Sequence, residues 1–314
     1  MLLIGGEKKF GSGKIVLNLK ILMQKIDPKF IFFSTNNVLI RVLLLFRLIR
    51  RSQNVIFQPS IYGYSIFRDF VIFCIFLVTR RKYSILLLCD LKAARFHKLA
   101  KVLLTHKFCK EVYTCSSPKD ISLRKKKSFR QLDQNYKEYV NQSFTRNLSI
   151  PLKEIEMIYG NYLKKEKGLE NFYFFLNKMK IEKYKIFGNR ESNDCYNPQY
   201  SEKVTLSEKE FMNYFESVKN NINFQCYFYG SILDLSPLVI ETAIAQGFPI
   251  ITLKGSYASE ILTSFLTTDC FTEIADEQTK VNTIKLKESW ENARNLITRR
   301  PTLDQLIKRE LLNV

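Results

Sequence analysis

DLSPLVIETAIAQGFP, residues 234–249, describes a helix whose two ends are both marked in the sequence. Ser236 is a residue type that caps the amino end of helices, and Pro237 suits the first helical position. Gly247 can adopt the left-handed backbone conformation that commonly ends a helix. The pattern predicts a helix from about Pro237 to Gln246.

The residues that follow this helix place its amino end where an anion can bind. Residues 248–252, FPIIT, form a short apolar run that predicts a buried strand of a mostly parallel sheet. The helix then begins beside the carboxyl edge of the sheet, where phosphate groups bind in open α/β folds. Glu241 lies one turn into the helix, within reach of a hydroxylated ligand. A diphosphate-linked sugar fits both features; the alternative is an ordinary capped helix in which Glu241 is a solvated acid.

The same segment resembles the donor-site signature of family 4 glycosyltransferases, which have the GT-B fold. That signature combines an acidic loop, a helix that begins at the nucleotide diphosphate and a Glu on the helix. The resemblance implies that Ser236, Pro237 and Leu238 lie at the donor diphosphate, with backbone N–H groups near Ser236 and Leu238 as donors. It also implies that Glu241 accepts hydrogen bonds from the nucleotide ribose.

A second match lies upstream, at residues 157–169, MIYGNYLKKEKGL. It resembles the family's G-R-L-x-x-x-K-G-L, in which the Arg and the Lys meet the donor phosphates. Lys167 matches the Lys, whereas Asn161 stands where the Arg is expected and the loop is one residue longer. The family's first acidic residue is also absent here, because Leu233 occupies its position. The neighbouring Asp234 is therefore the candidate for contact with the donor sugar.

The first half of the chain carries further matches. Residues 2–6, LLIGG, together with Gly11, Ser12 and Gly13, resemble the first strand and the glycine-rich loop of the family's acceptor domain. The resemblance implies that the backbone of this loop approaches the donor diphosphate. Many relatives carry a His after the fourth strand, where this chain has Asp90. Asp90 is thus the candidate for help with the acceptor hydroxyl.

Strand patterns and helix patterns alternate along the whole chain, which predicts an α/β fold with parallel sheets. The resemblance implies the GT-B architecture, two Rossmann-like domains that face each other across a cleft. A Lys-rich, poorly periodic segment at 116–152 separates the two successions. We predict an acceptor-binding domain at 1–150 and a nucleotide-sugar donor-binding domain at 151–314. Terminal helices near 287–298 and 302–312 are expected to cross back to the first domain.

The resemblance implies transfer of a sugar from a nucleotide-sugar donor to a hydroxyl of a glycan or a lipid-linked oligosaccharide, with retention of the anomeric configuration and without a metal. The main physical requirement is to stabilise the departing diphosphate, whose charge grows in the transition state. Lys167, Glu241 and Asp90 are the candidate catalytic residues. The departures at Asn161 and Leu233 leave a second hypothesis open, a catalytically silent GT-B protein that binds or stabilises an active transferase.

Motifs for metals and other cofactors are missing from the sequence. Residues 11–15, GSGKI, lack the first Gly and the Ser or Thr that a P-loop needs. The seven Cys are scattered without metal-ligand spacing, and His97 and His106 lie among basic and apolar neighbours. We therefore expect no metal and no cofactor, with the nucleotide sugar acting as a substrate.

The positive charge of the chain belongs to its first half. Residues 1–150 hold 28 Lys and Arg against 8 Asp and Glu, whereas residues 151–314 hold 21 against 22, so the balances are +20 and −1. This asymmetry predicts an anionic partner for the first half, either nucleic acid or a membrane surface.

Two segments favour the membrane. Residues 40–51, IRVLLLFRLIRR, and 65–82, SIFRDFVIFCIFLVTRRK, mix apolar residues with Arg at their edges, as interfacial helices do. Buried Rossmann helices with solvated arginines are the alternative. Residues 119–130, KDISLRKKKSFR, predict a solvated loop or a contact with lipid phosphates. No nucleic-acid motif is present, so we predict no nucleic-acid partner and a cytoplasmic protein that lies peripherally on the inner face of the plasma membrane, through its basic first domain.

Overall fold

The computed structural model describes residues 1–6, 12–38, 40–59, 65–88, 97–114, 126–130, 136, 147–160, 167–187, 204–205, 224–232 and 238–311. The chain divides into two compact units, one formed by Met1–Gln131 with Pro301–Val314 and the other by Leu132–Arg300. Each unit is a set of residues that contact mainly one another, which is a different property from folding as an independent domain. The limits at 1–150 and 151–314 concern folding domains, and they stay a prediction.

The first unit is built on a six-stranded parallel sheet with the strand order β2-β1-β3-β4-β5-β6. Its strands are β1 Leu2–Gly5, β2 Ile31–Ser34, β3 Val55–Phe57, β4 Tyr83–Leu87, β5 Cys109–Thr114 and β6 Lys126–Ser128. Its first four helices are α1 Ser12–Ile26, α2 Val42–Arg51, α3 Ser65–Thr79 and α4 His97–Thr105. Strands β1, β3 and β4 are each buried on both faces, as their near-continuous apolar runs require.

Strand β6 departs from the sequence-based expectation of a loop at 119–130. Lys126–Ser128 pairs in parallel with β5, and Phe129 directly after it is fully buried. Lysine has a low intrinsic preference for strands, but hydrogen bonds to an existing sheet and the burial of a neighbouring aromatic ring outweigh that preference at an edge. Part of the densest positive run is therefore a sheet edge.

The second unit contains a six-stranded parallel sheet with the order β10-β9-β8-β11-β12-β13, and a separate antiparallel pair, β7 with β14. The strands are β7 Ser149–Pro151, β8 Glu156–Gly160, β9 Tyr184–Phe187, β10 Val204–Thr205, β11 Gln225–Phe228, β12 Ile250–Leu253, β13 Thr272–Ile274 and β14 Lys280–Asn282. The helices are α5 Leu169–Met179, α6 Leu238–Ala245, α7 Tyr257–Phe265 and α8 Thr283–Thr298.

The last helix, α9 Leu303–Leu311, belongs to the first unit. The N–H of Arg130 donates to the carbonyl of Pro301 at 3.0 Å, so the chain that leads into α9 pairs with the segment that follows β6. Leu306 and Ile307 of α9 are buried.

Helix α6 is the helix that residues 234–249 predict. It runs over Leu238–Ala245, and Gly247 has a φ of 89°, the left-handed conformation expected of the carboxyl cap. The N–H of Gly247 donates to the carbonyl of Ile244 and that of Phe248 to the carbonyl of Ala243. The helix end was thus predicted correctly from local residue types.

No helix in the described part of the chain combines the length and the apolar character that a bilayer crossing requires.

Candidate functional site

The second sheet has a point at which its connections change direction. Strand β8 lies between β9 and β11, and the chain continues from β8 to β9 on one side and from β11 to β12 on the other. In open α/β sheets the carboxyl ends of the strands at such a point flank a crevice in which ligands bind. The segments that leave β8 and β11 are residues 161–168 and 229–237, and the second of them leads into α6.

These two segments touch through a pair of glycines. Gly168 has a φ of 85°, and a Cβ atom built there would lie 2.1 Å from the carbonyl oxygen of Gly230. A Cβ on Gly230 would in turn lie 2.7 Å from the ring of Phe228 and 3.1 Å from the carbonyl oxygen of Gly168. Neither position has room for a side chain. The backbone after β8 is therefore packed directly against the backbone after β11.

Hydrogen bonds hold Lys167 and Gly168 at this edge. The hydroxyl of Tyr159, in β8, donates to the carbonyl of Lys167 at 3.0 Å. The amide of Asn171, in the first turn of α5, donates to the carbonyl of Gly230 at 2.7 Å. The backbone that carries the Lys167 side chain is consequently fixed relative to both strands of the crevice.

Glu241 occupies the first turn of α6 and is fully buried. A buried carboxylate is costly without stabilising partners, and the amino end of a helix supplies part of that stabilisation through its unpaired N–H groups. Its burial adds a condition to the predicted ribose contact: a ligand hydroxyl reaches Glu241 only by displacing groups that cover it.

Helices and strands that neighbour α6 hold it in place. Trp290 of α8 is buried and donates its indole N–H to the carbonyl of Ile244 at 2.7 Å. Thr252 of β12 donates its hydroxyl to the carbonyl of Tyr229 at 2.8 Å, so the backbone just after β11 is also tied to the neighbouring strand. The last turn of α6 and the backbone after β11 are thereby tied to the neighbouring elements α8 and β12.

The first sheet has an equivalent point between β1 and β3. The N–H of Gly6 donates to the side-chain oxygen of Gln58 at 3.2 Å, and Gln58 is nearly buried. Thr35 is fully buried beside Gly6, and within the described residues its hydroxyl makes no hydrogen bond. Polar groups therefore collect at the carboxyl edge of this sheet as well.

Of the residues that the sequence singled out, the structure brings Lys167 and the α6 residues Leu238 and Glu241 to neighbouring connections of one sheet. Ser12 and Gly13 begin α1 in the first unit. The remaining six lie outside the described residues: Gly11, Asp90, Asn161, Asp234, Ser236 and Pro237. The roles assigned to all of these residues stay predictions.

Sequence reasoning missed Tyr159, Asn171 and Gly230, whose contacts hold the backbone around Lys167 in place. Gly230 carried a signal, because a glycine just beyond a buried strand often marks a close approach of two backbones. Tyr159 and Asn171 carried none, since each acts through a partner that only the fold brings near.

Titratable groups near the crevice include a thiol that is unsuited to catalysis. Burial raises the pKa of Cys226, in β11, far above its ordinary value of 9.0, so this thiol stays protonated and inert. Among the described residues no group of three or more His, Cys, Asp or Glu is arranged to hold a metal ion.

No family model and no curated protein matches the sequence. Solved structures do match the fold. WaaB, the lipopolysaccharide outer core galactosyltransferase, superposes with a TM-score of 0.52 at 12% identity, over 81% of this chain and 80% of its own. WaaG, a glycosyltransferase involved in lipopolysaccharide biosynthesis, gives 0.51 at 11%, over 99% and 100% of the two chains. The glycosyltransferase SnogD from Streptomyces nogalater gives 0.53 at 10%, over 99% and 98%.

At identities this low, a likeness in structure establishes the fold. The chain has the GT-B fold, with two Rossmann-like domains, as the sequence predicted. The finer assignment to family 4 within that fold stays a prediction.

Proposed function

We propose that this protein is a glycosyltransferase that moves a sugar from a nucleotide-sugar donor to a hydroxyl of a glycan or a lipid-linked oligosaccharide. The observation that carries the proposal is the crevice at the β8–β11 edge. There the Gly168–Gly230 contact presents Lys167 from one connection, and α6 begins at the end of the other. A cation and a helix amino end beside one crevice suit a diphosphate. WaaB and WaaG, which share the fold, are glycosyltransferases of lipopolysaccharide synthesis.

The chemistry asks chiefly for stabilisation of the leaving diphosphate. Lys167 supplies a positive charge, and the backbone N–H groups at the start of α6, near Ser236 and Leu238, supply hydrogen bonds. The backbone of residues 11–13 is proposed to approach the same phosphates. Because these groups carry the charge of the leaving group, transfer needs no metal ion. Retention at the anomeric carbon is what the family resemblance implies.

The remaining roles concern the two sugars. Glu241 accepts hydrogen bonds from the ribose of the donor, and Asp234 orients the transferred sugar. Asp90 assists the acceptor hydroxyl. The acceptor is anchored at an anionic membrane surface, which the basic first half of the chain contacts, so the protein works peripherally on the cytoplasmic face. Nucleic acid has no role.

Release of nucleotide from a panel of UDP-, GDP- and other nucleotide sugars tests the proposal, with membrane lipid present as a source of acceptor. Lys167→Ala should lower turnover by about 100-fold or more, since it removes one preorganised group that stabilises the leaving charge. Lys183→Ala, an exposed lysine before β9, is the matched control and should leave turnover unchanged. A metal chelator should have no effect.

Glu241→Gln keeps the shape of the buried side chain while removing its charge. We expect the KM for the donor to rise about tenfold with a smaller change in kcat, because a ribose contact is uniform binding energy. Glu288→Gln, on the exposed side of α8, is the control. Donor binding without turnover by the folded wild-type protein, with any donor and lipid, would contradict transferase activity and identify the silent binding partner instead.

A further inference from the structure

Helix α2 exposes a face that is apolar at its amino end and cationic at its carboxyl end. Ile40, just before the helix, is 85% exposed and Leu43 is 78% exposed, with Leu44 also open to solvent. Arg47 and Arg50 follow on the same side, because positions three, four and seven residues apart share one helical face. The opposite side of α2 packs Leu45 and Ile49 into the core of the unit.

Helix α3 repeats this arrangement. Phe67, Phe70, Leu77 and Val78 are all exposed on one side, whereas Ile72 and Phe76 are buried in the same core as α2. Three exposed cations, Arg80, Arg81 and Lys82, follow the end of the helix. A soluble surface seldom carries so many large apolar side chains together, so this one calls for a partner.

The two helices form one continuous surface. α2 packs beside α3, and the guanidinium of Arg81 donates to the carbonyl of Arg50 at 2.6 Å, which joins the two cationic ends. We call the exposed apolar residues of both helices, with these cations, the α2–α3 face. Asp69 is the sole acidic residue between positions 40 and 82, and it is buried. The face thus joins an apolar area to a group of exposed cations.

We propose that the α2–α3 face docks on a lipid bilayer that contains anionic phospholipids. The apolar side chains enter the boundary between headgroups and acyl chains, and the arginines and the lysine meet lipid phosphates. Nucleic acid satisfies the cations but leaves Leu43, Phe70 and Val78 in water. A second copy of the chain would cover the apolar residues but bring like charges together across a two-fold contact.

Co-sedimentation with vesicles tests the proposal. Wild type should bind vesicles of equal parts phosphatidylglycerol and phosphatidylcholine, and bind pure phosphatidylcholine far more weakly. Leu43→Ser with Phe70→Ser and Val78→Ser should lower the partition coefficient by more than about tenfold. In a second variant, Arg47→Gln with Arg50→Gln and Lys82→Gln should lower binding to the anionic vesicles by about a hundredfold.

Matched changes in the second unit serve as controls. Phe174→Ser removes an aromatic residue that is 57% exposed on α5. A triple change of the exposed Lys153, Lys183 and Lys280 to Gln lowers the net charge as much as the α2–α3 charge variant does. Both controls should bind anionic vesicles as wild type does.

The wild-type chain offers a readout that needs no substitution. Cys74 lies on the exposed side of α3, between the positions of Phe70 and Leu77, and is partly open to solvent. Anionic vesicles should slow its alkylation, as followed by peptide mapping. The proposal is overturned if vesicles leave this rate unchanged, if both triple variants bind as wild type does, or if the apolar triple variant instead abolishes self-association.

This inference rests on the proposed function only in linking the bilayer to a lipid-linked acceptor. The vesicles contain no nucleotide sugar, so binding and transfer are measured separately. If the protein transfers sugar to a water-soluble acceptor but does not bind vesicles, the α2–α3 inference is contradicted and the proposed function stands. If the protein binds vesicles but transfers sugar from no donor, the proposed function is contradicted and the α2–α3 inference stands.

Discussion

At the residue scale, the candidate site depends on two positions where only glycine fits. Gly168 must hold a positive φ and must also leave space for the carbonyl of Gly230. Both requirements arise from the close approach of two backbones at the β8–β11 edge. This contact fixes the backbone beside Lys167, so stability and the proposed donor binding are linked at Gly168.

Gly168→Ala should lower the free energy of unfolding by about 3 kcal/mol or more, because backbone strain and a steric overlap add. Gly255 provides the control, since its φ is also positive, at 68°, but nothing lies within 4 Å of a Cβ built there. Gly255→Ala should cost only about 1 kcal/mol, the strain alone. Urea titration measures both values, and equal losses for the two variants would contradict the proposed steric contact.

The burial of Cys226 predicts how the stability of the fold depends on alkaline pH. Its pKa is raised by burial, so above pH 9.0 the unfolded chain loses this proton while the folded chain keeps it. The group therefore makes stability fall as the pH rises past the unfolded pKa, by about 1 kcal/mol per pH unit at the alkaline end. Cys226→Ala should lose some stability at neutral pH and show a shallower decline between about pH 9 and 10.5. A decline as steep as that of wild type would show that the thiol ionises in the folded state.

At the scale of elements, α6 is placed by long-range contacts as much as by its own sequence. Its carboxyl end is set locally by Gly247, but Trp290 fixes the helix from α8. This hydrogen bond holds the last turn of α6 against α8. An element can thus be recognised in the sequence before its position in the site is known.

Trp290→Phe should lower the free energy of unfolding by about 2–3 kcal/mol, because it leaves a void and removes a buried hydrogen bond. It should also raise the KM for the donor, since α6 loses its anchor. Glu288→Gln on the exposed side of α8 should change stability by less than about 0.5 kcal/mol. Circular dichroism during urea titration measures the stability of both variants. Tryptophan fluorescence is unsuitable, because Trp290→Phe removes the only tryptophan of the chain. An unchanged midpoint would mean that the anchor contributes nothing.

At the scale of the whole molecule, the chain returns to its first unit at the end. Helix α9 buries Leu306 and Ile307 there, and the carbonyl of Pro301, two residues before the helix, accepts a hydrogen bond from the N–H of Arg130. The first unit is therefore completed by residues from both ends of the sequence.

Deletion of residues 301–314 should destabilise the first unit by several kcal/mol, about 2–5 for each large aliphatic side chain removed from the core. The second unit has no residue in this segment and should keep its stability. Hydrogen exchange at the amides of β4 and β12 separates the two responses. Equal loss of protection in both strands would show that the units unfold as one.

Several features were determined by the sequence alone, because they depend on neighbours along the chain. The α6 helix, its Gly247 cap and the alternation of strands with helices follow from residue types and their periodicity. The family resemblance likewise placed Lys167 in the segment that follows the first strand of the second half. These features predicted an α/β fold with parallel sheets, and the family resemblance implied its GT-B architecture.

Only the tertiary structure decided which backbones meet. The Gly168–Gly230 contact, the strand at Lys126–Ser128 and the pair of β7 with β14 join segments that are distant in sequence. The apolar side chains of α2 and α3 are equally compatible with burial and exposure when read as a pattern, and the packing against the sheet selects which of them face solvent. Local residue types set the conformation of each segment, whereas the free energy of burying distant segments together sets their neighbours.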